Sequence, residues 1–206
     1  MAATLDGVAA FISPFVDNIL QNPSVYANLI AEINDHETRK LLSSPVVQYD
    51  ETTALPYFMA CVHETLRLDS PAQTILPRLA SAGGIDLYGT WAPENTEIGA
   101  SPYIIHRNQA IFGADAEVYR PERWLESPER SQRMHKYGMW WGYGDRECAG
   151  KSYAQLEMQK LCLQLFRSFE IESATPEKRY LHKRWAVGMF WEQWLNFKER
   201  KYVDGS

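Results

Sequence analysis

The chain has 206 residues, 45% of them hydrophobic and 23% charged, which is enough for one medium-sized domain with a substantial core. Its formal net charge of −5 gives no electrostatic support to a nucleic-acid partner, and none is predicted. No apolar run approaches the length of a membrane span, and no signal peptide precedes the first predicted helix. Three cysteines without paired spacing argue against a disulfide framework and a zinc site, so Cys61 and Cys162 are predicted to be packed core thiols.

Apolar residues at helical spacing predict three helices in the first third of the chain. The first covers residues 3–21 and is followed by an Asn-Pro break. The second is capped by Ser24 and ends near residue 36, and the third covers about residues 52–68. These segments predict a mostly helical body.

After the third helix, the pattern changes to short strands separated by turns rich in glycine and proline. Strands are predicted at residues 74–79, 85–87 and 96–98. Residues 112–140 show little regular structure apart from a possible turn of helix. A strongly amphipathic helix is predicted at residues 152–169.

The tail of the chain carries possible strands at residues 169–173, 185–190 and 194–197. No internal repeat or low-complexity segment divides the chain. The predicted fold class is therefore mainly α with a small β-sheet.

The segment from Trp141 to Lys151 contains a lone cysteine, Cys148, among small residues and directly before a predicted helix. Glycines allow the backbone to approach a flat, bulky partner closely. The N-terminal end of a helix and the nearby Arg146 both favour a thiolate over a thiol. A cysteine in this setting typically ligates a metal or attacks a substrate.

The segment also allows two other interpretations. Residues 144–152 resemble a phosphate-binding loop, but they have five residues between the glycines where that motif requires four, and no buried strand precedes them. A thiol hydrolase would pair Cys148 with His106, His135 or His182, none of which the sequence places nearby.

The segment resembles the haem-binding loop of the cytochrome P450 family, Phe-x-x-Gly-x-Arg-x-Cys-x-Gly. Gly144, Arg146, Cys148 and Gly150 match, and Trp141 stands where the family usually has Phe. The resemblance implies that Cys148 is the axial thiolate ligand of the iron of haem b. It also implies that Trp141 lies against the proximal face of the haem.

Two further motifs agree with this family in order and spacing. Glu64 and Arg67 match its Glu-x-x-Arg, and residues 121–124 match its Pro-Glu-Arg-Phe/Trp. The resemblance implies that Glu64, Arg67 and Arg123 form a buried triad of charges with a structural role. Two guanidiniums can share one carboxylate through paired hydrogen bonds.

Upstream, residues 3–7 align with the Ala-Gly-x-Asp/Glu-Thr of the family's oxygen-binding helix. Asp6 matches the acid, which the resemblance assigns to proton delivery, whereas Gly7 replaces the usual threonine. Arg78 and Arg146 resemble the arginines that pair with the haem propionates.

The resemblance covers almost all of the chain. Its short sequence segments look most like those of fungal microsomal members, such as the pisatin-demethylase-like group. It implies that residues 1–206 are a single partial cytochrome P450 domain, the C-terminal portion of the fold, without the N-terminal half. The implied activity is a monooxygenase that inserts one oxygen atom from dioxygen into a small organic molecule, in fungal secondary or xenobiotic metabolism.

The resemblance also implies NADPH-cytochrome P450 reductase as the electron donor and the endoplasmic reticulum membrane as the location of a full-length relative. No anchor is read in this chain, so a cytoplasmic location is expected for it as it stands. The alternative function is a non-catalytic fragment that does not hold haem stably and acts at most through association.

Overall fold

The computed structural model describes residues 2–177, 181–184 and 188–200. Their α-helices are α1 (Ala2–Leu20), α2 (Pro23–Thr38), α3 (Tyr49–Thr53), α4 (Pro56–Leu68), α5 (Pro102–Ile105), α6 (Gln109–Phe112), α7 (Pro128–Tyr137) and α8 (Lys151–Ser168). Two 3₁₀ helices cover Pro121–Trp124 and Gly144–Arg146. The strands are β1 (Leu76–Leu79), β2 (Ile85–Leu87), β3 (Thr90–Ala92), β4 (Glu97–Ala100), β5 (Phe169–Ser173), β6 (Leu181–Arg184), β7 (Gly188–Trp191) and β8 (Leu195–Glu199).

The main core forms where α1 packs against α4 and α8. Phe11, Phe15 and Ile19 are fully buried and lie four residues apart, so they share one face of α1. The Phe15 ring meets Phe58 of α4 and Phe166 of α8 edge to face, with 5.9 Å between ring centroids in both pairs. The helical spacing read from the sequence therefore identifies the face that builds this core.

The strands form four separate antiparallel pairs, β1 with β4, β2 with β3, β5 with β8 and β6 with β7. The predicted fold class, mainly α with a small amount of β-structure, is confirmed, although a single sheet was expected. β3 and β6 were not predicted, because three- and four-residue strands leave almost no alternation to read. Residues 185–187 of the strand predicted at 185–190 lie outside the described residues.

Two helix boundaries differ from the prediction, and a proline explains each difference. α2 begins at Pro23, so Ser24 already lies inside the helix and is not its cap. The helix predicted over residues 52–68 is two helices, because Leu55 precedes Pro56 and adopts an extended conformation. The carboxylate of Glu32 then accepts the backbone N–H groups of Tyr57 and Phe58, both at 2.8 Å, and so caps α4 from a neighbouring helix.

The expectation of irregular structure through residue 140 was wrong for α7. The Ser127 hydroxyl accepts the backbone N–H of Arg130 at 3.1 Å, and Pro128 occupies the first helical position. Met134 is the buried residue of this helix. The sequence contains the Ser-Pro signal for the start of a helix. However, a single buried apolar residue among ten does not produce the helical periodicity from which a helix is predicted.

A buried carboxylate joins α4 to the irregular segment that follows the strands. Glu64 accepts two hydrogen bonds from Arg67, at 2.7 and 2.9 Å, and one from Arg123 at 3.0 Å. The indole N–H of Trp124 and the backbone N–H of Arg120 donate to the same carboxylate at 2.9 and 2.8 Å. The side chains of Glu64, Arg67 and Arg123 have no exposed surface, so this ion cluster is fully withdrawn from water.

The two guanidiniums also satisfy backbone carbonyls that have no helix or sheet partner. The acceptors, at 2.5–3.1 Å, are His106, Ala116 and Val118 for Arg67, and Phe112, Asp115 and Val118 for Arg123. Irregular backbone needs such acceptor partners when it is buried. The two arginines therefore hold residues 106–124 against α4.

Asp115 supplies the second negative charge that balances the two buried guanidiniums. Its carboxylate accepts from Arg120 at 2.5 Å and from Arg123 at 2.9 Å. The hydrogen bond from Arg120, followed by the one from Arg123, holds the pKa of the Asp115 carboxyl well below its usual value. The carboxylate is therefore charged at neutral pH.

We expect Glu64→Gln to lower the free energy of unfolding of this chain by about 3–5 kcal/mol, because two buried guanidiniums would lose their shared counter-charge. Chemical denaturation followed by circular dichroism measures the change. Asp35→Asn is the matched control, because Asp35 pairs with Arg39 at 2.9 Å on the surface of a helix. The control should change the free energy by less than about 1 kcal/mol. Equal losses in both variants would contradict the interpretation.

Candidate functional site

A cavity of about 1010 Å³ lies between the start of α1, the end of α4, β1 and the Trp141–Gly150 loop. Most of its wall is apolar and includes Val8, Leu66, Leu76, Leu79 and Met158. The polar side chains on its wall include one thiol and two guanidiniums, those of Cys148, Arg78 and Arg146. The structure thus brings together five of the residues that the sequence selected, these three with Trp141 and Gly150, although β1 and the loop are far apart in the chain.

The Trp141–Gly150 loop is held in a tight conformation by its own backbone. The backbone N–H of Cys148 donates to the carbonyl of Trp141 at 2.7 Å, and that of Gly142 donates to Met139 at 3.1 Å. Gly142 has φ +73°, and an added Cβ would lie 3.1 Å from the Arg146 carbonyl oxygen. A glycine is therefore required where the loop turns back on itself.

The prediction that Cys61 and Cys162 are packed core thiols is confirmed, whereas Cys148 lies in a different environment. Cys61 and Cys162 are fully buried, and Cys148 is exposed. Burial raises the pKa of the Cys61 and Cys162 thiols, so both are inert at neutral pH. Cys148 lies three residues before the first residue of α8, and Gly150 is the N-cap residue of that helix. A Cβ added at Gly150 would come 4.0 Å from the Cys148 sulfur.

Arg78 and Arg146 both lie on the cavity wall and are exposed. Arg78 donates to the carbonyls of Pro77 at 2.8 Å and Tyr143 at 3.2 Å, which fixes its direction. Glu97 also lines the cavity, but within the described residues no ion pair joins it, or any other carboxylate, to either arginine. The cavity therefore offers two guanidiniums to an anionic partner.

The remaining predicted residues occupy different places. Trp141 is partly buried against the main core and lines both this cavity and a second one of about 530 Å³ behind the loop. Gly144, with φ +63°, lines only the second cavity. Asp6 is exposed and does not line the large cavity, whereas its neighbour Gly7 does. The carboxylate of Asp6 is thus not grouped with the other selected residues.

The phosphate-loop interpretation and the pairing of Cys148 with His106 do not agree with this geometry. Lys151, which would hold a phosphate, pairs with Glu147 at 2.6 Å, and a 3₁₀ turn rather than a strand precedes it. His106 is fully buried and its Nε2 accepts the backbone N–H of Met139 at 2.9 Å, so it is not a base for Cys148. The side chain of His182 lies outside the described residues.

An aromatic cluster supports the loop from behind. Trp140 packs against His106 and Trp124, with ring centroids 5.3 and 6.0 Å apart. His63 and His135 meet edge to face at 4.4 Å and contact Trp124 on the same side. The sequence does not reveal this cluster, because its members come from α4, α7, the Pro121–Trp124 turn and the residues that directly follow α5 and precede the loop.

The donor set fits a haem better than an isolated metal ion. Among the described residues, no three His, Cys, Asp or Glu side chains lie together as a metal site. A haem iron can take a single protein ligand, and the macrocycle is flat, apolar and edged by two carboxylates. One exposed thiol, apolar walls and two guanidiniums that pair with no carboxylate in the described part of the chain match those three properties.

The comparison with known proteins agrees with this geometry. The family model described as cytochrome P450 matches residues 1–190. The chain belongs to the cytochrome P450 family. It is 37% identical over 183 residues to the cytochrome P450 monooxygenase cicH of Emericella nidulans, which covers 88% of this chain and 37% of that protein.

Two further fungal relatives give similar values. The cytochrome P450 monooxygenase AFLA_114810 of Aspergillus flavus is 37% identical over 161 residues, which cover 78% of this chain and 32% of the relative. The cytochrome P450 monooxygenase mfmA of Annulohypoxylon moriforme is 34% identical over 200 residues, which cover 97% of this chain and 38% of the relative. The chain thus spans less than two-fifths of the length of these curated relatives. None of its described helices is long and apolar enough to cross a membrane.

The histidines beneath the loop predict a specific pH dependence. Burial lowers the pKa of His63 to about 3, and the adjacent His135 lowers it as well. Burial, followed by the charge of Arg67, lowers the pKa of His106 to about 3. Both rings therefore stay neutral in the folded chain at pH values at which the unfolded chain already binds protons.

We expect the free energy of unfolding to fall as the pH decreases from 6.5 to 5, because only the unfolded state takes up these protons. Each histidine contributes a slope that approaches about 1.4 kcal/mol per pH unit well below its ordinary pKa. Denaturation curves at several pH values measure the slope. His63→Phe should lower this slope by the contribution of one histidine. An unchanged slope in that variant would contradict the conclusion that His63 stays neutral in the folded chain.

Proposed function

We propose that this chain forms the haem-binding portion of a monooxygenase that inserts one oxygen atom from dioxygen into a small organic molecule. The observation that carries the proposal is the position of Cys148, Arg78 and Arg146 on the wall of one largely apolar cavity. Membership of the cytochrome P450 family supports the reaction class.

Cys148 is the proposed ligand of the haem iron. A thiolate ligand would increase the electron density on the iron of a bound haem and so favour O–O cleavage, which is the chemistry that the haem would supply. The Cys148 backbone is held by its hydrogen bond to Trp141, so the Cα–Cβ bond that carries the sulfur has a defined direction before any ligand enters. Gly150 leaves open space beside the sulfur, where a larger side chain would compete with the macrocycle.

Arg78 and Arg146 are the proposed partners of the two haem propionates. A guanidinium matches a carboxylate with paired hydrogen bonds, which an ammonium group cannot do as well. Trp141 contributes a flat wall on the side of the cavity that carries the thiol. Gly144 shapes the turn of the loop and lies on the opposite side of it.

The remaining parts of the proposal rest on the family. They are electron supply by NADPH-cytochrome P450 reductase, a substrate from fungal secondary or xenobiotic metabolism, a full-length enzyme at the endoplasmic reticulum membrane, and residues 1–206 as one partial domain. Asp6 is proposed to deliver protons from the exposed edge of α1. Unchanged oxygenation in Asp6→Asn would remove this residue from the proposal.

We expect the chain produced with a haem precursor to show a red-shifted, thiolate-type Soret band when it is reduced and exposed to carbon monoxide. Cys148→Ala should abolish this band, because it deletes the proposed ligand. Cys162→Ala is the matched control: it removes a thiol from the core and should leave the band in place. Absorption spectroscopy of the three proteins provides the measurement.

A colourless wild-type chain would contradict the proposal for this chain. It would favour the alternative function, a haem-free segment that acts through association. A thiolate-type band that persists in Cys148→Ala would instead show that the sulfur ligand has been assigned wrongly.

We expect Arg78→Gln and Arg146→Gln each to speed the loss of haem by about tenfold, since each removes one charge-assisted hydrogen bond in a partly solvated position. Transfer of haem to an excess of an apo-globin measures the rate. Arg39→Gln is the control, because Arg39 pairs with Asp35 and does not line the cavity. Equal rates in all four proteins would show that neither cavity arginine holds the haem.

A further inference from the structure

His106 joins the buried ion cluster to the loop that carries Cys148. Its carbonyl accepts from Arg67 at 2.9 Å, and Arg67 is bound to Glu64. Its ring Nε2 accepts the backbone N–H of Met139 at 2.9 Å. One fully buried residue therefore contacts the cluster through its backbone and the loop through its side chain.

The contact at Met139 lies two residues before the Trp141–Gly150 loop. The Met139 carbonyl accepts the backbone N–H of Gly142 at 3.1 Å, and the Trp141 carbonyl accepts that of Cys148 at 2.7 Å. The turn from Met139 to Gly142 therefore determines where Trp141 points its carbonyl. Displacing Met139 would move the hydrogen-bond acceptor that fixes the Cys148 backbone.

The chemical state of the ring suits this role. Because Nε2 accepts a hydrogen bond, a neutral ring carries its proton on Nδ1, which is buried and has no hydrogen-bond partner among the described residues. The positive charge of Arg67 and burial both oppose a second proton, which would convert Nε2 from acceptor to donor. The ring packs against Trp140 and Phe112, with centroids 5.3 and 6.3 Å away.

An unpartnered N–H in the core is costly, and a phenylalanine would fill the same space without that cost. The acceptor at Nε2 is what only the histidine adds. We propose that His106 is a positioning residue that transmits the fixed geometry of the Glu64–Arg67 pair to the Cys148 loop through its hydrogen bond to Met139. Its effect on haem ligation rests on the function proposed above, whereas its effect on the loop does not.

The test compares two variants of the 206-residue chain. His106→Phe keeps a ring between Trp140 and Phe112 but has no acceptor. His106→Gln has an amide oxygen at about the reach of Nε2 and can accept the same hydrogen bond. Hydrogen exchange of the Met139 amide, measured without haem, reports this bond directly. Exchange of amides in α8 reports the stability of the whole fold in the same sample.

We expect the Met139 amide to exchange about tenfold faster in His106→Phe, the loss of one buried hydrogen bond, while α8 is unchanged. His106→Gln should restore most of the protection. An unchanged Met139 amide in His106→Phe would overturn the proposal. A rise of equal size in the loop and in α8 would also overturn it, because His106 would then stabilise the whole fold and not the loop.

Absorption spectroscopy of the haem-bound chain provides a second measurement. The fraction of protein with the thiolate-type band should fall in His106→Phe and recover in His106→Gln. If wild type binds no haem, the function proposed above fails, and the exchange measurement still decides whether His106 positions the loop. If wild type binds haem and exchange at Met139 does not respond, the positioning role fails and the proposed function stands.

Discussion

The Glu64 carboxylate, shared by Arg67 and Arg123 without access to water, is the interaction on which the rest of this structure depends. Withdrawing these charges from water costs on the order of several kcal/mol per ion. This cost is offset only if every donor and acceptor finds a partner. Here each guanidinium also donates to carbonyls of the irregular segment, and the indole N–H of Trp124 donates to the Glu64 carboxylate. The cluster therefore has one satisfied arrangement, and that arrangement holds residues 106–124 on α4.

The candidate site inherits its geometry from this cluster. The regular structure of residues 106–124 is limited to two short helices, Gln109–Phe112 and Pro121–Trp124, so the position of this segment depends on side chains that reach it from α4. Trp124 and His106, both held in this way, form the surface on which Trp140 packs. The loop that presents Cys148 begins beside them. A buried ion cluster thus serves as the support for an exposed thiol.

Charges at the cavity contrast with those of the cluster. Arg67 and Arg123 are fully neutralised and buried, whereas Arg78 and Arg146 face the cavity without a carboxylate partner among the described residues. Exposed cations tolerate the lack of a partner because water solvates them. They also keep their hydrogen-bonding capacity for a ligand. The same residue type therefore performs a structural role in the core and offers binding capacity at the cavity wall.

The sequence by itself determined the fold class, the family and the identity of the motif residues. It could do so because apolar periodicity and short motifs are local, and a lone cysteine among glycines is legible within ten residues. α7 was missed although Ser127 marks its start, because the helix has almost no apolar pattern. The break before α4 was missed although Pro56 marks it, because the apolar pattern continues across the break.

Only the tertiary structure decided which of the selected residues meet. It brought Arg78 to the cavity that contains Cys148, left Asp6 outside that cavity, and put Gly144 on the other side of the loop. It also revealed the contact between His106 and Met139, which are 33 residues apart. A hydrogen bond across that separation imposes no periodicity on the sequence. It depends on how α5 and the loop are both held against α4, and packing of that kind has no local signal.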